Sequence, residues 1–273
     1  MNIHFYLHSL NRDIGNLSIL KYRDFDGYIV SGQHSGTQWF KYLLSCAIAH
    51  KFDLPIPEHT SNSHSNDFIG HPKHQRKYPQ TPRIASTHQI PHSLYDSRIL
   101  RKFLSFPNTV LLVRDIRACL VSNYEKWKVK YDVPFSTYLL GDISEKKYVA
   151  DIWWFMHFFN RWGRVIKRFP EKNLVINYEK LQEDTLGEIK KVFNHFDLDV
   201  SDESILFAIN EATRDKMSVK TGEDYKLGEG HFVRQDKRHF SEWYTESDKE
   251  MLKSILENNL IYDFGYDFDN FPN

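Results

Sequence analysis

Cysteine is nearly missing. Cys46 and Cys119 are the only two among 273 residues, and each sits inside an apolar helical pattern, which excludes a disulfide framework and a four-cysteine zinc site. A reducing, intracellular setting fits that usage. Surplus charge of either sign is missing too. The 36 Lys and Arg balance 36 Asp and Glu, so no global field draws the chain to nucleic acid or to an anionic membrane. No window nears the roughly 18 consecutive apolar residues of a membrane span. The opening residues, MNIHFYLHSLNRDIGNL, have no basic start, no long apolar core and no small-residue cleavage site. No secretory signal is read there, and the expected location is the cytoplasm. No internal repeat and no linker divides the chain, so one domain over 1–273 is expected.

What is present in quantity is aromatic side chain, 15% of the residues, which points to a thick core or an aromatic-lined cavity rather than a disordered regulator. Four short apolar runs read as strands: GYIVS at 27–31, RIAST at 83–87, TVLLV at 109–113 and NLVIN at 173–177. Each is nearly continuous in hydrophobicity, as suits a strand covered on both faces. Helical patterns at about 37–50, 96–105, 116–131, 147–168 and 184–196 alternate with them, and two more follow at 201–213 and 246–258. This alternation predicts a three-layer α/β/α fold around a parallel sheet of four or five strands. Two polar stretches remain, 53–82, expected over the surface, and 216–240, expected as a long functional loop.

The stretch YIVSGQHSGTQWFKYLL at 28–44 runs a buried strand into a glycine-bearing turn and then into a helix. Such a turn presents unpaired N–H groups and the positive end of the helix dipole, which together make an anion site. Gly32 and Gly36 allow the tight backbone, Ser35 and Thr37 add hydroxyls, and Trp39 offers a stacking face. A nucleoside-triphosphate loop needs four residues between its glycines and then Lys followed by Ser or Thr. Here three residues separate Gly32 from Gly36 and Thr37 stands at the Lys position, so ATP or GTP hydrolysis has little support.

A second strand end, TVLLVRDIRACLVSNYEKW, places Arg114 at the carboxyl edge of the sheet and Ser122 eight residues later on the following helix. Ligands of open α/β sheets bind outside the carboxyl ends of the strands, so Arg114 and the 32–37 turn are expected to share one crevice and to hold a ligand with phosphates at two places. A third strand end, RIASTHQIP, puts His88 beyond 83–87, where a neutral imidazole can take a proton from an attacking hydroxyl or amine.

In this order the three elements resemble the sulfotransferases that use 3′-phosphoadenosine 5′-phosphosulfate (PAPS), and the chain reads as a bacterial-type member. That family's phosphosulfate loop is Pro-Lys-Ser-Gly-Thr-Thr-Trp, matched by QHSGTQW at 33–39; its Lys-Thr-His segment, with His as catalytic base, is matched by STH at 86–88. The resemblance implies that His34, Ser35, Gly36, Thr37, Gln38 and Trp39 bind the donor, with Trp39 on the adenine. Arg114 and Ser122 would hold its 3′-phosphate, Tyr178 of NYEKL would contact adenine, and Arg234 of HFVRQDKRHF would cover the 3′-phosphate. His88 would be the base and His34 would face the leaving phosphate. No metal is implied.

Departures accompany the matches. His34 replaces the loop Lys, so activity is expected to fall as pH rises past its pKa. Ser86 replaces the Lys of Lys-Thr-His, Gln235 and Asp236 replace the residues after the C-terminal Arg, and ATR at 212–214 stands for the family's Thr-Ser-Phe. Three rivals stay open: a nucleotide-binding protein that no longer transfers sulfate, a small-molecule kinase, and a metal-dependent hydrolase built on His59, His64, His71, His74, His88 and His92. The acceptor, a small molecule or a glycan, is expected near 122–140 and 151–162, although the stripe Trp154, Phe158 and Trp162 reads first as helix core. The oligomeric state stays open, a homodimer included.

Overall fold

The computed structural model describes residues 2–15, 24–57, 67–70, 77–103, 106–221 and 238–272. Its centre is one sheet of five strands: β1 (Gly27–Ser31), β2 (Ile69–Gly70), β3 (Ile84–Thr87), β4 (Asn108–Val113) and β5 (Asn173–Asn177). They lie in the order β2-β3-β1-β4-β5, and every pairing is parallel. The helices are α1 (Ile3–Gly15), α2 (Thr37–Lys51), α3 (Arg98–Phe103), α4 (Ile116–Tyr131), α5 (Phe135–Leu139), α6 (Ile152–Arg168), α7 (Tyr178–Glu183), α8 (Thr185–His195), α9 (Asp202–Glu211), α10 (Arg214–Thr221) and α11 (Glu246–Asn259).

The predicted three layers are present, and the strand period explains them. Side chains of a strand point alternately to opposite faces. Tyr28, Val30, Leu111 and Val113 pack into one core with α4, α6 and α11. Ile29, Val110 and Leu112 pack into the other with α2, α8 and α9. Both faces are covered, which is why these strands read as unbroken apolar runs. The stripe Trp154, Phe158 and Trp162 is buried core, as weighed from its spacing.

Caps account for where several helices begin and end. The Asp115 carboxylate accepts from Arg117 N–H and Asp132 closes α4 in the left-handed region, so α4 spans the predicted 116–131. Asp151 accepts from Trp154 N–H, so α6 starts at Ile152, five residues later than its apolar pattern predicts. The 53–82 stretch does not lie wholly over the surface: Phe68 and Ile69 are buried, and Ile69–Gly70 forms the fifth strand against β3. The predicted loop at 216–240 also needs correction, because α10 runs to Thr221; residues 222–237 lie outside the described residues. Among the described residues no helix is long and apolar enough to cross a membrane.

From β1 the chain leaves to one side for β3 and returns on the other for β4. That reversal opens a crevice at the carboxyl end of β1, the position where open α/β sheets hold ligands.

Candidate functional site

Four neighbouring strands, β3, β1, β4 and β5, each deliver site residues from their carboxyl ends: His88 after β3, the 32–36 turn after β1, Arg114 after β4 and Tyr178 after β5. The spatial order follows from the sheet order, so residues far apart in sequence become adjacent.

The turn is tight because two of its residues are left-handed, His34 at φ 60° and Gly36 at φ 84°. At Gly36 only glycine fits, since a Cβ there would lie 2.3 Å from the Tyr178 ring. Left-handed backbone costs a side-chain-bearing residue roughly 1–2 kcal/mol, and the ring must also move. Gly36→Ala is therefore expected to lower stability by about 1–2 kcal/mol in urea unfolding; an unchanged midpoint would show that the turn has no need of this geometry. No side chain caps α2 at Gly36, and a helix start of this kind is where an anion is favoured.

Arg114 stands on the same rim as this turn. Its Nη1 donates to the His34 carbonyl at 3.1 Å, and its guanidinium lies 4.6 Å from the centre of the Tyr178 ring. Its Nε is buried and has no acceptor, a donor left for an incoming anion. The Ser122 hydroxyl reaches His34 Nδ1 at 3.5 Å, so α4 joins the turn through His34. Trp39 meets Tyr178 edge-on, centroids 5.9 Å apart, and its Nε1–H donates to the Ala212 carbonyl at 2.9 Å. Ala212 of the ATR segment thus lies beside Trp39. Gln38, in the first turn of α2, is half-buried. Ser35 is buried against Cys119, hydroxyl to Sγ 3.7 Å. Arg234 lies outside the described residues.

His88 is held by β1. Its Nδ1 lies 2.9 Å from the Ser31 carbonyl and 3.2 Å from the Ser31 hydroxyl, which in turn sits 2.8 Å from the Thr37 hydroxyl. A carbonyl only accepts, so Nδ1 carries the proton and the Nε2 lone pair is left free. The following segment is fixed by α6, where Trp162 Nε1–H donates to the Gln89 carbonyl at 2.9 Å and Arg161 to that of Pro91. His88 keeps an exposed surface. Burial lowers its pKa, against its bond to Ser31, and the charges of Lys41 and Lys126 push the same way. The exposure of His88 to solvent softens the first effect and leaves the direction standing.

His34 departs from expectation. Burial foremost, then the charges of Lys126, His88 and Arg114, lower its pKa to about 3, so it is neutral across the physiological range. A charge that is lost as pH rises past neutrality is not there to lose, and the pH dependence expected from His34 is withdrawn. The Cys119 thiol is pushed up to about 12, chiefly by burial, which removes it as a nucleophile. His92 Nδ1 accepts from Leu94 N–H at 2.9 Å, capping a short 3-10 turn; His59, His64, His71 and His74 lie outside the described residues.

Two contributors escaped the sequence reading. Ser31 links the turn to His88, and only the pairing of β1 with β3 reveals it. Lys126, whose charge acts on both His34 and His88, follows Ser122 by one helical turn, and that spacing was a signal available in the sequence.

A family model described as "Sulfotransferase domain" matches residues 24–258. No curated protein matches the chain in sequence. Among solved structures, retinol dehydratase in a complex with retinol and PAP is similar at 18% identity and TM-score 0.59, over 88% of this chain and 83% of that one. A mouse sulfotransferase complexed with PAP is similar at 14% identity and TM-score 0.58, over 89% and 87%. A putative steroid sulphotransferase of Arabidopsis thaliana follows at 16% identity and TM-score 0.54, over 93% and 81%. At these identities the likeness is one of fold.

Proposed function

The chain belongs to the sulfotransferase domain family, and on that premise we propose that it transfers the sulfuryl group of PAPS to a hydroxyl or amine, with His88 as general base. The observation that carries the reading is the bond from His88 Nδ1–H to the Ser31 carbonyl. It leaves a neutral, lone-pair-bearing Nε2 beside an anion-binding turn. The acceptor O–H or N–H gives its proton to Nε2 as the new bond to sulfur forms. The bond from sulfur to the 5′-phosphate oxygen breaks, and its electron pair leaves with 3′-phosphoadenosine 5′-phosphate (PAP).

Transfers of this kind have loose transition states, so the protein acts by positioning and by meeting charge on the departing oxygen. The N–H groups at the start of α2 and the Thr37 hydroxyl serve the 5′ end. Arg114, with its unmatched Nε, and Ser122 serve the 3′-phosphate. Trp39 and Tyr178 offer ring faces to adenine. PAP in two structural neighbours of the same fold supports this donor. One of the two, retinol dehydratase, is seen with retinol and, in a second structure, with androsterone, in keeping with a small-molecule acceptor here.

Thermal unfolding with PAP, with ATP and magnesium, and with zinc tests the reading, followed by transfer from labelled PAPS to a panel of alcohols, phenols, sugars and amines. PAP at 100 times its Kd stabilises a protein by about 2.7 kcal/mol. A rise with PAP alone and labelled product on one panel member are expected; no shift with PAP sinks the donor assignment. The neutral His34 favours a second reading, a protein that binds PAP but transfers nothing, and the panel separates the two.

The same neutrality yields a prediction of opposite sign to most substitutions. His34→Lys places a permanent charge by the 5′ end and is expected to tighten PAP binding by roughly tenfold in calorimetry. Equal affinity would put residue 34 out of reach of the phosphate.

A further inference from the structure

Lys41 stands in the middle of α2, where every residue from Phe40 to Ala49 is buried, and its own side chain is 8% exposed. Packing does not ask for a lysine here. Methionine fills a similar volume without the several kcal/mol that an unpaired buried ammonium costs. Among the described residues no hydrogen bond or ion pair reaches this ammonium, and burial alone perturbs it, lowering its pKa to about 8. It therefore keeps its proton at neutral pH, with no counter-charge among the described residues.

Its direction is set by the helix. Lys41 follows Thr37 by one turn, so the two side chains share a face and Lys41 leans back toward the amino end of α2, over the turn. Thr37 is joined through the Ser31 hydroxyl to the group that holds His88. The Lys41 charge is felt at His88, whereas the charged neighbours of His34 are Lys126, His88 and Arg114. The Lys41 charge thus acts on the β3 side of the turn, where His88 stands. On that side β3 carries Ser86, with no charge, and the turn contributes a neutral His34.

We propose that Lys41 is a catalytic residue of the sulfuryl-transfer site, its ammonium projecting from α2 beside His88 to bind the sulfuryl oxygens of the donor. This rests on the donor assignment above. In that role Lys41 neither gives nor takes a proton: the acceptor proton goes to His88, and the electron pair of the broken sulfur–oxygen bond leaves on the 5′-phosphate. The ammonium meets charge on the oxygens of the group in flight, and by its nearness it also keeps His88 unprotonated until the acceptor arrives.

The test compares PAPS with PAP, which differ only in the sulfuryl group. Calorimetric Kd values would be measured for both nucleotides on the wild-type chain, Lys41→Met and Lys41→Arg. Lys41→Met is expected to weaken PAPS by roughly tenfold or more, the size of one charge-assisted hydrogen bond, and to leave PAP within about twofold. Intact PAP affinity also shows that the variant is folded. Lys41→Arg should restore most of the PAPS affinity. An unchanged ratio of PAPS to PAP affinity in Lys41→Met overturns the proposal, as does an equal loss of both. If the wild-type chain binds neither nucleotide, the donor assignment fails and takes this inference with it.

Discussion

Replacing His88 with alanine is expected to lower turnover by about 10²- to 10⁴-fold, the usual contribution of a general base, while PAP binds as before. The two halves of that expectation come from different features. His88 reaches the site from β3 and is bonded to Ser31 at the end of β1, whereas the 3′-phosphate is assigned to Arg114 and Ser122, whose bonds run to His34. The loss should fall on kcat, because the proton moves only in the transition state. A pH profile gives a second check. The base must be unprotonated, so rate is lost as pH falls through the His88 pKa, which lies below the ordinary 6.5. Wild-type kcat/KM should therefore be level near neutrality and decline on the acid side, and the alanine variant should lose that decline. Normal turnover in His88→Ala would remove this residue from the mechanism.

Arg114→Ala is expected to act on binding instead. One hydrogen bond to a charged group is worth about 1.5–3 kcal/mol, so PAP affinity should fall by roughly 10- to 100-fold. The guanidinium also steadies the His34 carbonyl and one face of Tyr178, which places the loss at the upper end. A control nucleotide assigns it: adenosine 5′-phosphate lacks the 3′-phosphate, so its affinity should change far less. Calorimetry with both ligands on both proteins closes a thermodynamic cycle. Equal losses for the two nucleotides would move Arg114 away from the 3′ end, and unchanged PAP affinity would contradict the assignment outright.

Much of this arrangement was readable in the sequence, for physical reasons that differ from element to element. β1 and β5 were legible to the residue because strands covered on both faces admit few polar side chains. α4 was legible because Asp115 and Asp132 mark its ends. β2 was not: two residues inside a polar stretch have no period to detect, and only pairing with β3 makes them a strand. α1 also went unread, since over 3–10 Ile3, His4, Tyr6, Leu7 and Leu10 stay exposed while Phe5 enters the core. Within the site, residue identity exposed the anion turn, Arg114 and His88, whereas the charge state of His34 depends on burial and on Lys126. Lys41 shows the same limit from the other side. A lysine in a helix ordinarily reads as a solvated one, and only the two-layer covering of α2 shows that it is not.

Arg114 grips the His34 carbonyl and Tyr178 packs against Gly36, so the shape of the turn is set by contacts within the protein itself. The conformational entropy of this cradle is thus surrendered once, when the chain folds, and not again at each encounter. An anion meeting this turn should bind without rearranging it, so its on-rate should follow diffusion and the local positive field rather than the slow step of an induced fit.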